Sequence, residues 1–123
     1  MTRRPAASRL SRMAHRSIDP GGRPIVRVPL AHTKVTSKNP RRFALLDAED
    51  FDRLMAAGVS PCWTLNRDGK MGIGYVRAPW GSDPRGRTLV SIAPLVLGTE
   101  PGQRVHYRDG NRLNLRRSNL WAA

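Results

Sequence analysis

"VHYRDGNRLNLRRSNL", running from Val105 to Leu120, is the stretch on which the fold turns. Asp109-Gly110 is a turn signal, because Asp bonds backbone two residues on and Gly accepts the left-handed conformation that tight turns need. Val105, His106 and Tyr107 ahead of it suit a strand. Asn114 behind it is placed to cap a short helix over residues 116–120. Arg104, Arg108, Arg112, Arg116 and Arg117 crowd this finger, and Asp109 is its one acid.

Upstream, "LLDAEDFDRLMAAG" (residues 45–58) predicts a helix. Asp47 is the cap, Glu49 and Asp50 stand in the first turn where the dipole favours anions, Phe51, Leu54 and Met55 share a face, and Gly58 ends it. "CWTLNRDGKMGIGYVRA" (residues 62–78) reads as a hairpin around Asp68-Gly69, with Trp63 and Tyr75 facing the core and a bend at Gly72 to Gly74. "RTLVSI" (residues 87–92) is a further strand, and Pro94 starts a short helix that Gly98 stops. Trp80 lies in a loop where either stacking on bases or packing is open. The fold class expected is a small α+β domain of short elements over residues 43–123, ending in the finger at 104–121.

Charge is unevenly placed. The chain has 123 residues, 22 Lys/Arg against 9 Asp/Glu, and a net charge of +13. Residues 1–42 hold 11 of the basic residues and one acid, Asp19. Few large apolar residues stand there to offset ordering entropy, so residues 1–42 read as a flexible basic arm, with "PIVRVPL" (residues 24–30) adding at most an edge strand. Such an excess draws the chain toward polyanions, nucleic acid first. Cys62, alone, excludes an internal disulfide and reads as a reduced interior thiol. No apolar run approaches the roughly 18 residues of a spanning helix. The expected location is cytoplasmic and nucleoid-associated, with no membrane partner.

From Phe43 to Trp121 the chain resembles the HNH homing-endonuclease-like family of phages and mobile elements. The family's ββα-metal finger runs approximately V-[DN]-H-x-[DN]-G-[DN]-x-x-[DN]-N-R-x-x-N-L, and residues 105–120 match its spacing without a gap. Asp109, Gly110, Asn111, Asn114, Arg116, Asn119 and Leu120 fall on pattern positions, which support fold more than activity. The resemblance implies a His base that deprotonates water, and one divalent cation (Mg, Mn or Zn) held by the residue before that His and by the late Asn. Those positions hold Tyr107 as the base, and His106 and Asn119 as metal ligands. The pattern's middle Asn is Leu115, and its further His in the preceding helix corresponds to Ala93. A phenol with a pKa of about 10 does not replace imidazole as a base near neutrality.

Read structurally, His106 is a strand residue contacting solvent or phosphate and Asn119 closes the short helix, and that reading is preferred. His15 and His32 read as solvated. The leading expectation is a protein that binds double-stranded DNA on a catalytically degenerate HNH-like finger, with no catalytic residue and no required cofactor. Phosphate contacts are expected from Arg104, Arg108, Arg112, Arg116 and Arg117, and from Arg3, Arg4, Arg9 and Arg12 of the arm. One alternative is an active metal-dependent nicking endonuclease using His106 as base. Another is a basic RNA-binding or protein-interaction accessory factor, which rests on charge alone.

Overall fold

A computed structural model describes residues 13–31, 41–68, 73–83 and 86–123. The chain is a small α+β fold, and among the described residues antiparallel sheets and two helices close on one core. Strands β1 (His15–Ile18), β2 (Pro24–Pro29) and β3 (Phe43–Asp47) form one sheet in the order β1-β2-β3. Helix α1 (Ala48–Ala56) follows directly. Strands β4 (Thr64–Asp68), β5 (Ile73–Asp83) and β6 (Gly86–Ser91) form a second meander, and α2 (Ile92–Leu97) leads to the pair β7 (Val105–Tyr107) and β8 (Leu120–Ala122).

The division at residue 42 does not hold for residues 13–31. "PIVRVPL" is not an edge but the middle of its sheet, with Val26 facing Leu46 and Val28 facing Ala44 across the register. The reason lies in the placement of the prolines. Pro24 and Pro29 bound the strand, so the residues between them keep their N–H groups for pairing, while Ile25, Val26, Val28 and Leu30 are buried. Residues 1–12, including Arg3, Arg4, Arg9 and Arg12, and residues 32–40, including His32, lie outside the described part of the chain. His15 sits on β1, its ring edge-on to Phe43 at 5.7 Å.

Helix α1 buries Phe51 and Leu54 as expected. Asp47 has the extended backbone of a cap but makes no side-chain capping bond; its carboxylate serves elsewhere, as described below. Helix α2 begins at Ile92 rather than Pro94, which occupies the first turn where its missing N–H costs nothing. Gly98 closes it in the left-handed conformation, at φ 69°. The ladder between β4 and β5 runs in regular register from Ile73 onward, while Gly72, where the expected bend begins, lies outside the described residues; an irregularity lies between Trp80 and Asp83 of β5. Trp63 is fully buried, its indole N–H donating to the Ser60 carbonyl at 2.7 Å. Cys62, expected inside, is exposed, because its neighbour Trp63 takes the interior face. Trp80 is half-buried and donates to the Ala57 carbonyl at 3.0 Å, which settles its packing role.

The finger departs from expectation in one element. Instead of a short α-helix over 116–120, a single 3-10 turn spans Arg117–Asn119, and the chain then runs extended as β8. Tyr107 faces Leu120 and His106 faces Trp121 across the β7-β8 pair. Burial of Leu115 and Leu120 on either side of the turn pulls the backbone straight, leaving no length for a helix. The finger is also stitched to β3: Leu45 N–H donates to the Leu113 carbonyl and Leu115 N–H to the Leu45 carbonyl, both at 2.8 Å. Leu113, Leu115 and Leu120 therefore belong to the same core as Val26, Leu46 and Trp63.

Candidate nucleic-acid interface

The polar residues of the finger loop are occupied with one another. The Asp109 carboxylate accepts from Asn111 N–H (2.7 Å), from the Asn119 amide (2.9 Å) and from the Asn114 amide (3.0 Å). Asn119, buried, accepts from Asp109 N–H at 3.0 Å and donates to the Asn114 carbonyl at 2.9 Å. Asn114 accepts from Arg116 N–H at 3.3 Å, forming a turn rather than a helix cap. Gly110 supplies the positive φ, 74°, that the turn requires. The spacing shared with the HNH pattern is here the spacing of a self-bonded loop.

That arrangement bears on the metal-ligand expectation. The amide oxygen of Asn119 accepts from Asp109 N–H, and the ring of His106 lies on Trp121 with centroids 4.2 Å apart and planes 20° off parallel. No group of three or more His, Cys, Asp or Glu stands at ligand distance among the described residues. His106 and Asn119 are thus each engaged within the protein, the ring on Trp121 and the amide in the finger loop. Tyr107, at the base position, has its phenol pushed above the usual range by burial, with the charge of Arg112 pulling the other way. It stays protonated at neutral pH, so it donates and does not accept a proton.

The arginines sort into two faces. On the first, Arg116 donates from Nε to Asp47 (2.9 Å) and pairs through Nη2 with Asp19 (2.7 Å), its side chain only 18% exposed. Burial works against its charge, but the bonds to Asp19 and Asp47 outweigh it and raise its pKa. Arg117 donates through Nε to both oxygens of Asp50, at 3.0 and 3.1 Å, and its N–H reaches Asp47 at 3.3 Å. Asp50 is 1% exposed and also accepts from Arg53, whose guanidinium bonds the Leu95 and Val96 carbonyls at the end of α2. Arg16 pairs with Asp52. Arg116 and Arg117, expected to hold phosphate, face acids in the structure: Arg116 pairs with Asp19 and Asp47, and Arg117 with Asp50 while its side chain stays 48% exposed.

A pH dependence follows from these contacts. The Arg23 N–H and Arg116 hold the Asp19 carboxyl below its ordinary value, Arg16 does so for Asp52, and Asn114 with Asn111 N–H does so for Asp109. A carboxyl whose pKa falls on folding stabilises fully above its unfolded value of about 4, and that contribution is lost as pH drops through the lower folded value. The melting temperature is expected to hold from neutrality to about pH 5 and to fall steadily below about pH 4. A profile flat down to about pH 2 would show these contacts to be energetically empty.

The second face is a cleft of about 510 Å³ between β5, α2 and β7. Arg77, Arg104 and Arg112 line it together with His106, and none of its described lining residues is Asp or Glu. Arg112 lies over the Tyr75 and Tyr107 rings, at 4.9 and 5.0 Å, which orients its guanidinium at the cleft wall. Ala93, where the family pattern has a second His, is buried and apolar in the lining. Arg104 and Arg108 are exposed, and Arg108 spends only its backbone N–H, on the Asn119 carbonyl at 2.8 Å. Trp121, 41% exposed, covers His106.

Of the expected phosphate-binding residues, Arg104 and Arg112 thus share the cleft, Arg108 is exposed on the turn beyond β7, and Arg116 and Arg117 stand against Asp19, Asp47 and Asp50. Arg77 went unnoticed in the sequence. Alternation along β5 was the available signal, since it sits two residues beyond Tyr75 and hence on the same face. Its Nε is the one buried side-chain nitrogen or oxygen without a hydrogen-bond partner among the described residues. Comparison of the chain with protein-family models, with curated proteins and with solved structures finds no match, so the likeness to the HNH family rests on the residues of the finger themselves.

Proposed function

We propose that the chain is a DNA-binding protein built on a catalytically degenerate HNH-like domain, holding duplex DNA mainly through phosphate contacts and requiring no cofactor. The observation that carries this is the sorting of charge. Asp52 is matched by Arg16, Asp50 by Arg53 and Arg117, and Asp47 by Arg116, while Arg104 and Arg108 stand exposed with no ion pair among the described residues, Arg104 at a cleft that holds no carboxylate among its described lining residues. Arginine forks fit phosphate oxygens, and phosphate contacts dominate the affinity of such surfaces. The protonated Tyr107, the apolar Ala93 and the core residue Leu115 supply neither base nor metal ligand, which favours binding over cutting. A cytoplasmic, nucleoid-associated location follows from this reading; no helix among the described residues is long and apolar enough to cross a membrane.

The test is a salt-dependent titration of duplex DNA. Arg104→Ala with Arg108→Ala is expected to flatten the slope of log K against log salt by about 2, since each phosphate contact contributes about −0.9. Folding should persist, because neither side chain packs in the core. Arg116→Ala should instead lower the melting temperature and leave the slope unchanged. A double variant that binds duplex with the parental slope would remove the reading, as would metal-dependent cleavage lost on changing His106.

A further inference from the structure

We infer that the cleft between β5, α2 and β7 is a binding site for one nucleotide of an unpaired or terminal DNA segment, its phosphate taken by Arg77 and Arg112 and its base by the apolar wall of Ala93, Pro94 and Val105. The inference deepens the DNA-binding reading, and rests on it only for the polymer from which the nucleotide comes.

Size and shape come first. A concavity of about 510 Å³ falls in the range of small-molecule sites, about 300–1,000 Å³. A duplex presents its phosphates on a convex rim, and those reach only the exposed Arg104 and Arg108 at the edge. A single nucleotide freed from pairing can enter. The chemistry of the walls is also that of a nucleotide. Guanidinium groups with no carboxylate among their described neighbours bind a phosphate, and Ser91, Gln103 and the protonated Tyr107 add neutral donors beside them. Ala93, Pro94 and Val105 share the lining and offer an apolar surface to a base.

Arg77 supplies the independent observation. A buried N–H without an acceptor is an expense that folded proteins avoid, and here it belongs to a guanidinium in the wall of a cationic cleft. Nε itself is out of a ligand's reach, so a phosphate in the cleft acts on Arg77 through the other nitrogens of the guanidinium, adding charge-assisted bonds to a group that the protein leaves only partly satisfied. Arg112 complements it: stacked on Tyr75 and Tyr107, its group is held in place before any ligand arrives, so little side-chain freedom is lost on binding.

Full-length protein titrated with deoxynucleoside monophosphate, inorganic phosphate, a 5′-phosphorylated single strand, and a duplex closed by loops at both ends tests this. Saturable binding of the nucleotide and of the single strand is expected, weakened about tenfold or more by Arg77→Met, the loss of one charge-assisted hydrogen bond. Closed-duplex binding should not change in that variant. Without ligand, Arg77→Met should melt higher than the parent, because an unpaired buried donor has been replaced by an apolar chain; a purely structural arginine would give the opposite sign. Arg77→Gln is the second variant should Arg77→Met fail to fold. Nucleotide binding that is absent, or equal in parent and variants, overturns the site. Inorganic phosphate binding as tightly as the nucleotide overturns the role of the apolar wall. If the nucleotide binds and the closed duplex does not, the duplex-binding reading fails and this one stands.

Discussion

Leu115→Asn is expected to destabilise the protein by about 3–5 kcal/mol, even though it restores the residue of the HNH pattern. Leu115 is fully buried, packs in the common core, and donates one of the two hydrogen bonds that stitch the finger to β3. Asparagine there removes the packing of a leucine, for which truncation alone costs about 2–5 kcal/mol, and brings an amide into a space with no partner, adding about 1–3 kcal/mol. The two terms overlap, since asparagine is larger than alanine and fills part of the cavity. Against a total stability of about 5–15 kcal/mol, the variant should show a sharply lowered urea midpoint or fail to fold. A loss under about 1 kcal/mol would show that the finger is held elsewhere and that position 115 is free to serve a site.

Asn119 separates a structural role from a ligand role more cleanly, because two replacements make opposite demands. Asn119→Ala deletes the acceptor for Asp109 N–H and the donors to the Asp109 carboxylate and the Asn114 carbonyl. Leaving those groups unpaired should cost about 2–4 kcal/mol. Asn119→Asp keeps the shape and the acceptor, and as a metal ligand it would serve at least as well as the amide. In the bonded loop it loses both donated bonds and sets a second carboxylate against Asp109. Both variants are therefore expected to lower the melting temperature markedly, with the aspartate no better than the alanine at neutral pH. An aspartate variant that melts like the parent, or is stabilised by added magnesium or manganese, would return Asn119 to the ligand position that the pattern suggests.

How far the site could be read in advance differs from residue to residue. The Asp109-Gly110 turn, the end of α2 at Gly98 and the buried face of α1 were legible because each rests on local rules of backbone conformation and periodicity. Arg112 and Arg104 were legible as cationic groups near the finger. Arg116 and Arg117 carried the same local signal, yet their partners Asp47 and Asp50 lie 69 and 67 residues away along the chain. Composition counts such arginines as free charge; only the folded chain shows them spent. Arg77 is the reverse case, an isolated arginine in a hairpin strand that the fold brings into one cleft with Arg104 and Arg112.

By itself, the order of residues determined the α+β class, the two helices, the turn of the finger and a surplus of positive charge, since these follow from propensity, patterning and composition. Tertiary structure alone decided that "PIVRVPL" is the centre of a sheet, that residues 117–119 turn once and run on as a strand, and that the arginines divide between acid-clamping and cleft-lining faces. The physical reason is the same in each case. Burial of Val26, Leu115 and Asp50 depends on what packs or pairs across the chain, and a group's partners, unlike its backbone preferences, are set by residues far from it in sequence.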